Sequence, residues 1–281
     1  MSKTILITGS TDGIGLMTAE LLLGLGHHVL LHGRNQSKLE QVRRKLLAVS
    51  GAEKIDTYSA DLSNLAEVAA LAASVLASHN KLDVVVNNAG VFKSANAKTA
   101  EGLDLRFVVN TIAPYLLTQR LLPLLNSSGR VINLSSAAQS PVEPKALKGE
   151  ISLSDDFNAY AQSKLALTMW SRQLALSLRS GSVNDKSLAT HAGPAIIAVN
   201  PGSMLGTKMV KEGFGVAGGD VRKGADILLR AALSDEFASA TGLYFDNDSG
   251  DFSHPHADAL DELKSQEIVE LIEKILTRSG V

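Results

Sequence analysis

Short runs of consecutive apolar residues alternate along the chain with longer stretches whose apolar positions recur every three or four residues. The runs at 4–8, 28–32, 54–59, 82–87, 130–134, 195–199 and 242–245 predict strands. Most are continuous rather than alternating, which fits strands covered on both faces, as in a parallel sheet between helices. Helical spacing marks 15–25, 36–49 and 64–78, with Ser37 and Ser63 as candidate caps for the second and third. A longer helical region, 101–125, contains Pro114 and Pro123, either of which can kink or end it. Residues 158–178 place Leu167, Trp170, Leu174 and Leu178 on one helical face, with Trp170 in the core or at a subunit contact. The tail, 256–277, has the spacing of a charged amphipathic helix. Two segments, 180–193 and 202–219, predict loops, the second carrying six glycines. The alternation predicts an α/β fold: a single-domain, Rossmann-type, doubly wound parallel sheet of about seven strands flanked by helices and spanning residues 1–281.

Composition narrows the class. The chain has 281 residues, 45% of them hydrophobic, enough for a large core. Its 27 basic and 29 acidic residues nearly cancel, to a net charge of −2. That balance argues against a nucleic-acid partner, which calls for a basic face, and against disorder. There are no cysteines, which removes disulfides, thiol nucleophiles and thiolate metal sites. The apolar run near the N-terminus is broken at Gly9, too early for a signal peptide. No stretch has the roughly 20 apolar residues of a membrane span. These features predict a soluble, cytoplasmic protein.

The first strand runs directly into Thr8-Gly9-Ser10-Thr11-Asp12-Gly13-Ile14-Gly15, and a helix follows. Glycines there allow a sharp turn and let backbone N–H groups approach a pyrophosphate at the positive end of the helix. Further along come Asn87-Asn88-Ala89-Gly90, Asn110, Leu134-Ser135-Ser136, Tyr160-Ala161-Gln162-Ser163-Lys164 and Pro201-Gly202. In this order, most of them at strand ends, these motifs resemble the short-chain dehydrogenase/reductase family over roughly residues 4 to 245. Ser136 and Tyr160 lie 24 residues apart, about twice the separation in many members. That insertion, and the phrase continuing through Leu165-Ala166-Leu167, resemble the retinol-dehydrogenase-like branch. The same branch holds protochlorophyllide reductases, which use a cysteine proton donor that this chain lacks.

Tyr160 and Lys164 are four residues apart on a predicted helix and therefore share a face. A free phenol has a pKa of about 10. A nearby ammonium and an oxidised nicotinamide ring would each favour the phenolate and lower that value toward working pH. The expected chemistry is proton donation by Tyr160 to a carbonyl oxygen as hydride arrives at the carbon, or the reverse on an alcohol. The resemblance gives the oxygen-holding role to Ser136, with Ser135 as the fallback, and has Asn110 support Lys164 through an ordered water.

The resemblance also implies a nicotinamide cofactor bound by Gly9, Ser10, Thr11, Gly13, Ile14, Gly15, Arg34, Asn35, Asp61, Leu62, Asn88, Ala89, Gly90, Tyr160, Lys164, Pro201, Gly202 and Met204. Asp61 would lie near the adenine amino group or else cap a helix beside Ser63. Met204 or Thr207 would touch the carboxamide, although Thr207 falls five residues after Gly202 where the family usually has four. After the second strand no carboxylate appears before Glu40, and Arg34 offers a guanidinium for a 2′-phosphate. This favours NADP(H) over NAD(H). Position 12 is Asp, where many NADP-preferring relatives carry a basic residue.

Residues 139–158 and 202–219 are expected to form the substrate pocket, with Met204, Leu205, Met209, Val210 and Phe214 as apolar walls. The substrate class is then a small carbonyl or alcohol: a hydrophobic ketone, aldehyde or secondary alcohol. No metal is needed. His27-His28 precede a strand, and His254 and His256 flank a proline without an obvious third ligand; surface or pocket histidines are expected. The resemblance leaves a homodimer or a homotetramer open. A competing reading is an NADP(H)-sensing binding protein on the same fold, although such a protein would be expected to lose Tyr160 or Lys164. An epimerase or dehydratase with bound NAD would ordinarily need a further sugar-nucleotide domain.

Overall fold

The computed structural model describes residues 1–50, 54–184 and 193–281. One sheet carries eight strands: β1 (Thr4–Ile7), β2 (His28–Gly33), β3 (Ile55–Ser59), β4 (Leu82–Asn87), β5 (Leu125–Leu134), β6 (Ala195–Asn200), β7 (Tyr244–Asp246) and β8 (Asp251–Ser253). Their order is β3-β2-β1-β4-β5-β6-β7-β8. Every neighbouring pair is parallel except β7 and β8. Strand order reverses between β1 and β4, and a doubly wound sheet opens its ligand cleft at that switch point, beyond the carboxyl ends of the strands.

The helices are α1 (Gly13–Gly24), α2 (Gln36–Ser50), α3 (Leu65–Ser78), α4 (Leu105–Phe107), α5 (Ala113–Leu121), α6 (Pro144–Leu147), α7 (Asp156–Asn184), α8 (Lys208–Phe214), α9 (Arg222–Leu233) and α10 (Glu262–Arg278). Two apolar layers form the core. On one face of the sheet α3, α5, α7 and α10 enclose Leu6, Leu30, Val85, Val131 and Ile196. On the other, α1, α2 and α9 enclose Ile5, Ile7, Val29, Val84 and Ile132. Successive residues of each central strand thus enter opposite layers, which is why these strands read as unbroken apolar runs. Trp170 is fully buried, edge-on to Tyr115 at 5.5 Å. Among the described residues no helix is long and apolar enough to cross a membrane.

Several expectations need correction. The sheet has eight strands rather than about seven, because the three-residue β8 folds back on β7 and is too short and too polar to leave an apolar run. Asn64, not Ser63, caps α3, its side chain accepting from the Ala66 and Glu67 amides. Ser37 lies inside α2, and the Asn35 side chain accepts from Lys38 N–H instead. The 202–219 segment is not all loop. It contains α8, capped by Thr207 and ended by Gly215 in the left-handed region at φ +70°. This helix buries no residue, so it leaves no apolar stripe in the sequence. Of the expected loop 180–193, the backbone to Asn184 continues α7, and residues 185–192 lie outside the described residues.

The predicted 101–125 helix is also subdivided. A π-helical turn, Val108–Ile112, joins α4 to α5, and a 3-10 turn containing Pro123 ends the run. Proline has no N–H, so Pro114 cannot make the helical bond to the carbonyl of Asn110, four residues earlier. A widened turn there is the expected accommodation.

One buried histidine supports the loop between β1 and α1. His32 is 2% exposed. Its Nδ1 accepts from the Gly9 N–H at 3.2 Å, and its Nε2 donates to the Ala60 carbonyl at 3.1 Å. This pattern requires a neutral ring, and burial pulls its pKa down to about 4. The unfolded chain would titrate near 6.5. The unfolded state therefore binds the extra proton first as pH falls. Stability from this group is complete above about pH 6.5 and declines until the folded pKa near 4, by about 3 kcal/mol. Unfolding measured between pH 7 and 4.5 should show this loss, and His32→Gln should start less stable with a shallower acid slope. An unchanged slope in the variant would exclude the assignment.

Candidate active site

The glycine loop is shaped by what lies against it. Gly9 and Gly13 have positive φ values of +65° and +54°, conformations that side chains disfavour. A Cβ on Gly9 would stand 2.9 Å from the Ala89 Cα, and one on Gly15 would stand 2.6 Å from the Gly9 carbonyl oxygen. Thr8 stitches this loop to the end of β4, since its Oγ1 accepts from the amides of Asn88 and Ala89, each at 3.0 Å. The Asn88 side chain returns the contact by donating to the Thr8 and Gly9 carbonyls. The β1–α1 loop and Asn88-Ala89-Gly90 thus form one wall of the switch-point cleft. Ser10 turns inward, bonded to the His32 backbone. Asp12 caps α1 by accepting from Gly13 N–H.

At the outer end of the cleft, Arg34 and Asn35 follow β2 and are exposed. Among the described residues the Arg34 guanidinium has no hydrogen bond or ion pair. Gly33 lets Thr11 approach, for a Cβ there would meet Thr11 Cγ2 at 2.6 Å. Lys38, at the start of α2, reaches back to Asp12 with a 3.0 Å ion pair. Lys38 thus offsets the Asp12 charge beside the glycine loop, a pairing across 26 residues that no local motif signals. The Asp61 carboxylate accepts from the Ser63 amide and hydroxyl, closing the turn into α3. Leu62 is buried.

At the inner end four predicted residues come together. Lys164 is 4% exposed, and its ammonium donates to the Leu134 carbonyl at 2.7 Å. Burial lowers its pKa to about 8. Its Nζ stands 5.6 Å from the centre of the Tyr160 ring. Asn110, in the π turn, is fixed on both sides of its amide. Its Oδ1 accepts from Val91 N–H at 2.8 Å, and its Nδ2 donates to the Val91 carbonyl and to Ser163 Oγ, each at 2.9 Å. Ser163 in turn donates to the Tyr160 carbonyl at 2.7 Å. A Cβ on Gly90 would lie 3.4 Å from Asn110 Oδ1 and 3.5 Å from Lys164 Nζ. The β4 end, the amide and the ammonium thus converge around Gly90.

The two serines divide. Ser135 is buried and bonded to Thr168 Oγ1 at 2.7 Å, so it is spent on holding α7 to the sheet. Ser136 is half-exposed, its Oγ accepts from the Ala138 amide at 3.1 Å, and its side chain lies near enough to the Tyr160 phenol to favour the phenolate. Burial raises the Tyr160 pKa, and the Ser136 contact only partly opposes it. The sequence argument expected a lowered value from the ammonium. In the chain itself the lysine is turned to the Leu134 carbonyl, and removal from water disfavours the phenolate. The start of α7 is anchored by Arg106, which is 3% exposed, chelates Asp104 through two nitrogens and bonds Asp156 at 2.5 Å.

The apolar wall differs from expectation in its members. Phe92 packs edge-on to Tyr160 at 5.4 Å and stacks on Phe214 at 5.1 Å, with Phe157 completing the group. Met209 Cε reaches within 3.7 Å of the Gly90 Cβ position. Leu205, by contrast, is buried against Gly224 and cannot line a pocket. Phe92 stands outside every motif, and Phe157, although within the 139–158 segment expected at the pocket, is not among the wall residues expected there. Pro201 and Gly202 (φ +117°) follow β6, with Met204 half-exposed at φ +54°. Thr207 caps α8, and its Cγ2 comes within 3.5 Å of the Gly13 Cβ position. Residues 139–158 contribute Ala146 and Leu147 to the core as well as surface.

Comparison with known proteins places this geometry. Residues 3–215 match the family model for short chain dehydrogenases. The chain is 33% identical to human retinol dehydrogenase 14 over 265 residues, covering 86% of this chain and 77% of that one. Its fold is similar to that of an uncharacterized protein of Mycobacterium paratuberculosis (TM-score 0.78, 24% identity, 98% and 93% of the two chains). A short chain dehydrogenase from Shigella flexneri complexed with NADP is also similar (TM-score 0.66, 26% identity, 88% and 97%). With its switch-point cleft, glycine loop and Tyr160–Lys164 pair, the chain belongs to the short-chain dehydrogenase family of oxidoreductases, in its retinol-dehydrogenase-like branch.

Proposed function

We propose that this protein is an NADP(H)-dependent oxidoreductase that interconverts a hydrophobic carbonyl compound and its alcohol. The observation that carries the reading is the convergence of Ser136, Tyr160, Lys164 and Asn110 at the carboxyl ends of the strands, next to the glycine loop. The cofactor fits the residues present. Positive-φ glycines and the α1 N-terminus suit a pyrophosphate, and an exposed Arg34, unpaired among the described residues, suits a 2′-phosphate. The Shigella flexneri relative in complex with NADP supports the same choice.

When bound, the nicotinamide supplies or accepts the hydride. Tyr160 then transfers the proton. Its raised pKa keeps the phenol protonated at neutral pH, the form that carbonyl reduction needs. Ser136 lies beside that phenol and would hold the substrate oxygen there. Lys164 provides the buried positive charge that stabilises the phenolate left behind, and Asn110 fixes the backbone around it. The Phe92, Phe157 and Phe214 rings, two of them roughly half-exposed, offer an apolar surface that suits a hydrophobic substrate.

Two experiments test this. Tyr160→Phe should keep the fold and NADPH binding but lower kcat for carbonyl reduction by roughly 10²–10⁴-fold; full turnover across a panel of apolar ketones and aldehydes would reject the mechanism. Arg34→Ala should raise the KM for NADPH by roughly 10–100-fold while leaving that for NADH almost unchanged. Equal effects on both cofactors would show that Arg34 does not read the 2′-phosphate.

A further inference from the structure

Far from the cleft, at the amino-terminal end of the sheet, three potential metal ligands meet that are distant in sequence. His28 begins β2, Asp56 lies in β3, and His79 is the C-cap of α3. Asp56 pairs with Leu30 in the β2–β3 register, so His28 and Asp56 are both on the sheet face that α3 covers. His28 Nε2 is 2.8 Å from Asp56 Oδ2, and His79 Nε2 is 3.6 Å from the same oxygen. All three ligand atoms lie within 4.8 Å of one another.

We propose that His28, Asp56 and His79 form a binding site for a divalent late transition ion, Zn²⁺ being the best match. A tetrahedral zinc ion with bonds near 2.0–2.1 Å sets its ligand atoms about 3.3 Å apart. The three atoms here need shifts of about an ångström or less to meet that spacing. Two imidazole nitrogens and one carboxylate oxygen are a donor set that zinc accepts, with one position left for water or a further oxygen. Tyr58 is placed for that position or to hold its water, since its hydroxyl stands 2.8 Å from His79 Nε2.

Two further features favour a cation. The site lies at the C-terminal end of α3, where the helix dipole is negative. The histidine side chains are only 22% and 11% exposed, so they are already largely ordered, while Asp56 at 48% leaves a path for the ion. The His28–Asp56 hydrogen bond would be complete without His79, so the third group is what distinguishes this arrangement from an ordinary histidine–carboxylate pair. The ion would tie β2, β3 and the end of α3 together beneath the half of the sheet that ends in Arg34 and Asp61.

Calorimetric titration of the full-length, metal-stripped chain with Zn²⁺ tests the site. We expect one equivalent to bind and to raise the thermal midpoint. Affinity should fall by roughly tenfold or more in His79→Ala and in the near-isosteric Asp56→Asn. His256→Ala, which alters a different histidine, should bind as the parent does. Circular dichroism of each variant establishes that it is folded, and Asp56→Asn serves if His79→Ala is not. Absence of stoichiometric binding by the parent, or loss in His256→Ala with retention in the other two, would overturn the proposal.

Discussion

A buried ammonium organises the catalytic end of this molecule. Lys164 is almost wholly removed from water, which is costly for a charge unless polar groups meet it. The Leu134 carbonyl meets it directly, at the last residue of β5. That bond sets how far α7 slides along the sheet and so fixes the height of Tyr160, one turn earlier on the same helix face. The remaining contacts serve this placement. Ser135 and Thr168 fasten α7 to β5, Thr111 and Asn110 fasten it to the π turn, and Arg106 ties its first residue to α4. Amide, ammonium and strand end approach one another around Gly90.

Much of this was legible from residue order. The central strands declared themselves as unbroken apolar runs because both faces of the sheet are covered. The catalytic candidates were found because family resemblance marks them, and the fold brings Asn110, Ser136, Tyr160 and Lys164 together. What stayed hidden had one of two causes. Elements that bury little, such as α8 and β8, produce no periodic apolar signal. Contacts made across long sequence separations have no local signature. Lys38 with Asp12, Phe92 with Phe214 and the convergence of His28, Asp56 and His79 are all of that kind. The histidines illustrate the limit well. All seven looked alike in composition, yet His32 proves to be a buried prop for the glycine loop.

The ionisation of Tyr160 depends on its surroundings more than on its neighbour in sequence. Spacing alone suggested a phenol made acidic by Lys164, but a group withdrawn from water resists ionisation, and the ammonium is directed at a carbonyl. A neutral phenol beside a charged lysine is suited to giving up a proton at the moment charge develops on the substrate oxygen. The same withdrawal from water thus raises the tyrosine and lowers the lysine to about 8, so the ammonium is the stronger acid of the two.

The contact between Phe92 and α8 constrains how this chain can vary. A Cβ at Gly213 would fall 2.5 Å from the Phe92 ring, and Lys93 adds a bond to the Gly213 carbonyl. Any side chain at position 213 therefore demands a smaller one at position 92, or α8 must lift away from the cleft. Two positions more than a hundred residues apart are thus coupled by one steric contact. Through them, a change in the size of one aromatic ring becomes a change in how wide the mouth of the pocket stands.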